Sequence, residues 1–184
     1  MAEVLPLLAP GELDAGQRAL YDRITGGPRT ASPVSLTDEA GHLTGPFNAL
    51  LFAPRLGDAV QEVGARIRYG LSLTDREREL ATLLVAGRVG SSYELAAHTR
   101  LAAAAGVDEA AITALRAGEL PEVGDERERR VLGLCEVLLS PTPDPAEVAV
   151  AADGLGTTVV AELTILVGYY QLLARLLAVA GVTA

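Results

Sequence analysis

An imidazole and two carboxylates stand in this chain at spacings that could support proton transfer. Glu94 and His98 are four residues apart in a segment of helical character. Their Cβ atoms would then lie ~5–6 Å apart on one face. Ser91 falls on the same stripe, which Leu101, Ala102 and Ala105 continue. On the preceding segment Glu79 shares a face with Leu83, Ala86 and Gly90, small or apolar company for a group that is costly to bury. Antiparallel packing of two such helices would bring Glu79 to the His98 stripe. An imidazole with two carboxylates in a partly apolar pocket suits general acid–base work.

Spacing leaves a plainer reading open for each of these residues. Glu94 with His98 is equally an exposed helix pair, worth ~0.5 kcal/mol or less. Glu79 belongs to the run Arg76-Glu77-Arg78-Glu79, which as a charge run reads as a solvated face. Ser91 could simply cap its helix. His42 lies in a glycine-flanked loop, and Cys135 reads as a small core residue. The Tyr169-Tyr170 pair reads as packing at a core or an interface.

Composition narrows the chemistry further. The 184 residues are 49% hydrophobic and 21% charged, enough to bury a sizeable core and incompatible with global disorder. The formal net charge of −9 argues against a nucleic-acid partner, which needs basic surface for counterion release. All fifteen basic residues are arginine. With no lysine there is no amine for Schiff-base chemistry or for covalent pyridoxal phosphate. A single cysteine excludes an internal disulfide, a CxxC redox pair and a thiolate zinc site, and two histidines cannot build a three-histidine metal site. We therefore expect no metal and no cofactor. The N-terminal stretch lacks the basic start and apolar core of a secretory signal. The apolar stretch near the C-terminus is interrupted by Glu162 and Arg175, too close together for a membrane span of ~20 apolar residues. The expectation is a cytoplasmic protein without a membrane partner.

The elements that would hold these side chains read as helices. Residues 11–25 have loosely helical apolar spacing and end at Gly26-Gly27-Pro28; residues 26–46 read as a long irregular segment. A short apolar run covers Ala49 to Ala53, and Pro54 reads as the first residue of a helix to about Tyr69. Thr74-Asp75-Arg76-Glu77 is a capping box opening a helix towards Gly90. The next helix begins near Ser91 or Ser92 and stops at Gly106, and Asp108 caps a short one to Ala117. Residues 125–139 form another, after which Ser140-Pro141-Thr142-Pro143 is a rigid connection. Asp144-Pro145-Ala146-Glu147 opens a further helix. The last helix, roughly 157–180, is apolar on most sides, so it is either central in its own fold or covered by another subunit. The reading is an all-α single domain over 1–184 with about eight helices and an N-terminal helix-and-loop extension over about 1–46.

Taken in order, these segments resemble the carboxymuconolactone decarboxylase family, whose superfamily includes alkylhydroperoxidase D. The resemblance is carried by Leu13 to Tyr21, Leu43-Thr44-Gly45-Pro46-Phe47-Asn48-Ala49-Leu50, Leu73 to Leu80, and Tyr93-Glu94 with His98. It continues through Leu101-Ala102, Ala105-Gly106-Val107 and Val167-Gly168-Tyr169-Tyr170. It implies an interlocked, all-helical homotrimer or homohexamer. The peroxidase branch uses a glutamate, a CxxC pair and a histidine. Its histidine and glutamate fall on His98 and Glu79, but its cysteines fall on Ser91 and Glu94. Without sulfur the disulfide cycle has no vehicle, so peroxidase activity is not expected. The decarboxylase branch carries glutamate four residues before its histidine, as in Glu94-Leu95-Ala96-Ala97-His98.

The resemblance thus implies a cofactor-free acid–base enzyme, lyase-like, acting on a small carbonyl or carboxylate compound of lactone type by decarboxylation or proton shift. His98, Glu79 and Glu94 would be catalytic, in one cavity between consecutive helices with Ser91 at its edge. Asn48 would contribute an amide to substrate binding and Phe47 an apolar wall. Leu95 stands where relatives often carry an aromatic, which implies a wider or differently shaped pocket. The three titrating groups are expected to be coupled. The alternative from a different class is a non-catalytic helical oligomer that binds an apolar ligand or a protein partner.

Overall fold

In the computed structural model, residues 4–27 and 34–183 are described. The middle of the irregular 26–46 segment and the first three residues of the chain therefore lie outside the described residues. Regular structure among them is helical: a 3-10 turn at Pro10–Glu12, then α1 (Ala15–Thr25), α2 (Pro46–Leu50), α3 (Pro54–Tyr69), α4 (Asp75–Val89) and α5 (Ser92–Ala104). These are followed by α6 (Glu109–Arg116), α7 (Glu126–Leu138), α8 (Pro145–Ala151) and α9 (Thr157–Ala180). An isolated bridge pairs Thr37 with Leu43. The chain divides into two compact units, Met1–Gly70 with Arg175–Ala184, and Leu71–Ala174.

The first unit is organised by α1, α2 and α3. Asp14 and Gln17 form a reciprocal capping box at the start of α1. Leu20 and Ile24 of that helix join Leu43, Leu50 and Leu51 in one buried cluster, against which Phe47 and Leu176 pack. α2 begins earlier than the apolar run alone suggests. Gly45 adopts a positive φ of 59° and delivers the chain to Pro46, whose fixed φ suits the first helical position.

The second unit is built around α4. Thr74 accepts from the Glu77 amide while the Glu77 carboxylate accepts from the Thr74 amide, so the expected capping box is present. Leu80, Ala81, Leu83, Leu84, Val85 and Ala86 are all buried, and α4 packs against α5, α6 and α7. Gly87 permits the closest of these approaches: a Cβ there would collide with the Leu115 carbonyl of α6. Gly90 then ends α4 in the left-handed region (φ 69°), and α5 starts two residues later. This tight turn sets α4 and α5 side by side. Asp108, Asp125 and Asp144 cap α6, α7 and α8 with their side chains.

The charge run at the start of α4 is not a solvated face. Glu77 is buried and pairs with Arg127 of α7 at 2.5 Å, and Arg76 pairs with Glu128 of α7 at 2.6 Å. Arg76 also donates to the Gly106 carbonyl after α5. The run is an internal ion-pair belt that ties α4 to α7.

Candidate active site

Glu79 lies near the start of α4 and His98 at the middle of α5, positions that side-by-side packing brings together. Both are buried, at 1% and 7% exposure. The Nδ1 of His98 and the Oε2 of Glu79 are 2.6 Å apart. The other imidazole nitrogen, Nε2, is 3.4 Å from Glu94 Oε2, one turn back on the same helix. At that length it is an ion-pair contact rather than a well-formed hydrogen bond. The two sides of the ring are thus unequal: Nδ1 is locked and Nε2 is only loosely held.

Glu79 is itself anchored on its far side. The Nε and Nη2 of Arg78 donate to its Oε1 at 3.2 and 3.1 Å, and Arg78 Nη1 donates to Asp75 at 2.5 Å. A chain of alternating charge therefore runs Asp75, Arg78, Glu79, His98, Glu94. Burial opposes the charge on His98, but the hydrogen bond to Glu79 and the negative charge of Glu79 and Glu94 outweigh it and push its pKa up to about 9. Burial likewise works against the Glu79 carboxylate, yet the bond to His98 and the nearby Arg78 hold it below the ordinary value. At neutral pH the pair is imidazolium and carboxylate. Because Glu79 accepts from Nδ1–H, the Nε2–H is the proton that a reacting molecule could receive.

Two further residues complete the surroundings, and sequence reasoning missed their part. Tyr170 of α9 packs edge-to-face against His98, with ring centroids 5.1 Å apart. Its phenol is pushed well up by burial and by the two carboxylates, so it stays neutral. Thr82, one turn after Glu79, has a fully buried hydroxyl that makes no hydrogen bond of normal geometry. Its side chain still acts weakly to favour the ionised Tyr170 phenol, so the two side chains are neighbours. Arg78 is the other omission: its sequence signal, an arginine preceding a buried glutamate, dissolved into the charge run.

Of the remaining candidates, Ser91 occupies the N-cap position of α5 and is 8% exposed, but its side chain makes no capping hydrogen bond. Simple capping therefore does not account for it. Asn48 and Phe47 belong to the other unit. The Asn48 amide donates to the Pro6 carbonyl at 2.9 Å and accepts from the Leu8 amide at 3.0 Å, so both its polar atoms hold the N-terminal segment. Phe47 packs on the cluster around Leu20. His42 pairs with Asp38 at 2.8 Å in its own loop. Cys135 is fully buried, and burial pushes its thiol up to about 12. Among the described residues no group of three His, Cys, Asp or Glu side chains could hold a metal ion.

Regular structure among the described residues is helical, and two consecutive helices bury a glutamate–histidine–glutamate cluster between them. The model of the carboxymuconolactone decarboxylase family matches residues 54–136, from the start of α3 almost to the end of α7, and covers the whole cluster. Over this region the chain is similar to the carboxymuconolactone decarboxylase family. No curated protein matched the chain.

Proposed function

We propose that this protein is a cofactor-free acid–base enzyme of the lyase type, acting on a small unsaturated lactone-type carboxylate. In the reaction the bond between the ring carbon and the carboxylate breaks, and carbon dioxide leaves without its bonding electrons. Those electrons delocalise into the conjugated carbonyl as an enolate. The Nε2–H of His98 then protonates carbon, and the imidazole regains its proton from solvent, with Glu94 beside Nε2 as the relay. Glu79 keeps the ring oriented and favours imidazolium, and Arg78 fixes Glu79. The single observation that carries the reading is the unequal ring: Nδ1 locked at 2.6 Å, Nε2 loosely placed at 3.4 Å. Ser91 lies at the edge of the site in this reading. The protein acts in the cytoplasm as a homotrimer or homohexamer, with no nucleic-acid or membrane partner.

Release of carbon dioxide from a panel of unsaturated lactone acids tests this. Turnover lost in His98→Gln and Glu79→Gln, with mass and helicity unchanged, supports it; turnover unchanged in His98→Gln overturns it. A thiol peroxidase would need an accessible thiolate, and the buried Cys135 is shifted in the opposite direction.

A second reading, a non-catalytic oligomer that binds an apolar ligand, draws support from a different place. An open cavity of about 480 Å³ lies where α8 meets α9, with Ala149, Ala152, Val160 and Ala161 in its wall. None of the cluster residues lines it. Native mass spectrometry finding a co-purified apolar molecule, with no turnover on the panel, would favour this reading.

A further inference from the structure

A decarboxylation leaves negative charge on a carbonyl oxygen, and the charged side chains of the cluster do little to receive it. Glu79 and Glu94 repel an anion, and Arg78 turns its guanidinium to Glu79 and Asp75. The Nε2–H of His98 is committed to carbon. An enolate in a water-poor site needs a hydrogen-bond donor set in place beforehand.

Two hydroxyls stand beside the imidazole. Thr82 follows Glu79 by three residues on α4 and so shares its face. It is sealed from solvent, and its Oγ1 has no hydrogen-bond partner. Among the described residues Thr99 and Glu136 also hold a buried oxygen without a partner, but both of those residues are only partly buried. A sealed hydroxyl without a bond is costly where valine would fill the same space. The second hydroxyl is that of Tyr170 on α9. Its ring stands edge-on to His98 at 5.1 Å and to Tyr169 at 5.5 Å.

Burial sorts these side chains into two layers. Glu79 and Thr82, both from α4, are 1% and 0% exposed, whereas His98 and Tyr170 keep 7% and 8%. The inner carboxylate holds the outer imidazole. The inner hydroxyl has the matching place under the outer phenol.

We propose that Tyr170 is a catalytic residue whose phenolic O–H donates to the enolate oxygen, and that Thr82 is a positioning residue whose hydroxyl donates to the Tyr170 oxygen. The influence of Thr82 on Tyr170 has the sign of such a bond, because a donor to the phenol oxygen favours its ionised form. Burial and the two carboxylates keep the phenol protonated, so its hydrogen is there to donate. Glu94, beside Nε2, opposes ionisation of the phenol more strongly than Glu79, beside Nδ1. The phenol therefore sits towards the nitrogen that delivers the proton. No proton passes from Tyr170 to the substrate. As the bond to the carboxylate breaks, its electron pair moves to the carbonyl oxygen and the phenol's hydrogen bond tightens. The pair returns to carbon when Nε2–H is transferred.

This inference rests on the acid–base reading above and names the group that holds its anion. Tyr170→Phe tests it, since it keeps the ring against His98 and removes only the oxygen. On any lactone acid of the panel that is turned over, kcat should fall ~10²–10³-fold, the range for loss of one oxyanion donor, with KM little changed. The His98 imidazole should still titrate near 9 in that variant. Thr82→Val should lower kcat several-fold while its urea midpoint stays level or rises, because an unbonded hydroxyl is removed. Thr82→Ser should restore kcat, and Thr99→Val should leave it unchanged. An unchanged kcat in Tyr170→Phe, or a His98 midpoint that drops to 6.5 in it, would overturn the proposal. So would a lowered urea midpoint in Thr82→Val with kcat intact. If no acid of the panel is turned over, the reading above fails and binding decides the fate of the pair. The wild type should then bind 4-nitrophenol as its coloured anion, a planar enolate mimic, and Tyr170→Phe should bind it ~10-fold more weakly or worse, as loss of a charge-assisted hydrogen bond requires. No binding by the wild type, or equal binding by the variant, would sink the pair as well.

Discussion

Glu77 and Glu79 stand two residues apart on α4, are both buried and both meet a cation, yet their surroundings set them to different work. Glu77 closes a capping box and pairs with Arg127, a partner that stays charged at any pH a protein survives. Glu79 pairs with His98, a partner that can release its proton. A buried carboxylate is thus no signal of chemistry by itself. What separates structural from reactive is whether the partner titrates, and whether one of its polar atoms is left for another molecule. Arg127 binds α7 to α4, whereas His98 keeps Nε2 in reserve.

The contrast breaks most visibly in turnover. Replacing His98 by Gln should lower carbon dioxide release ~10²–10⁴-fold, the range for loss of a positioned acid. Glu77→Gln should stay within a few-fold of wild type once folded. Equal losses in the two variants would erase the distinction.

Stability gives the next largest effect. Glu79→Gln leaves a buried imidazolium with a poorer partner and should cost ~1–3 kcal/mol in urea unfolding at pH 6. Glu77→Gln, whose Arg127 partner is partly exposed, should cost ~1 kcal/mol, mostly through the weakened cap.

The dependence of stability on pH sharpens the comparison. The folded pKa of His98 is raised from 6.5 to about 9. Its contribution is fully present below pH 6.5 and is lost as pH rises through about 9. The folded pKa of Glu79 is lowered, so its contribution is present above the ordinary 4.5 and is lost as pH falls. Denaturation midpoints should therefore decline between pH 6.5 and 9 in the wild type and much less in Glu79→Gln. Glu77→Gln should retain the wild-type slope.

Much of this was legible in the sequence, for a local reason. The Thr74 box, the aspartate caps and the i, i+4 pair of Glu94 and His98 depend on residues within one turn of each other. Even the approach of Glu79 to His98 follows from two consecutive helices joined by a glycine turn. The start of the charge run was misread because its partners, Arg127 and Glu128, come from α7, some fifty residues on. No local pattern announces such a pair. Tyr170 was missed for the same reason: its role against His98 depends on where α9 lies beside α5. At α2 the apolar run hid the earlier start that Gly45 and Pro46 dictate.

The smallest effect concerns helix starts. Ser91 sits at an N-cap position without bonding there, so Ser91→Ala should change stability by less than ~0.5 kcal/mol. Asp108→Ala, which removes a real cap, should cost ~1 kcal/mol. A larger loss at Ser91 than at Asp108 would return Ser91 to a structural role.

The central claim is that His98 is held as imidazolium, with Glu79 on Nδ1 and Nε2–H left for a reacting molecule. Nitrogen-detected NMR titration of the imidazoles tests it most directly, and with only two histidines a His42→Gln variant leaves a single ring to follow. The account predicts that His98 titrates near pH 9, that Nδ1 keeps its proton when the ring becomes neutral, and that Glu79→Gln lowers the midpoint. A midpoint near 6.5 in the wild type, or a neutral ring protonated on Nε2, would contradict it.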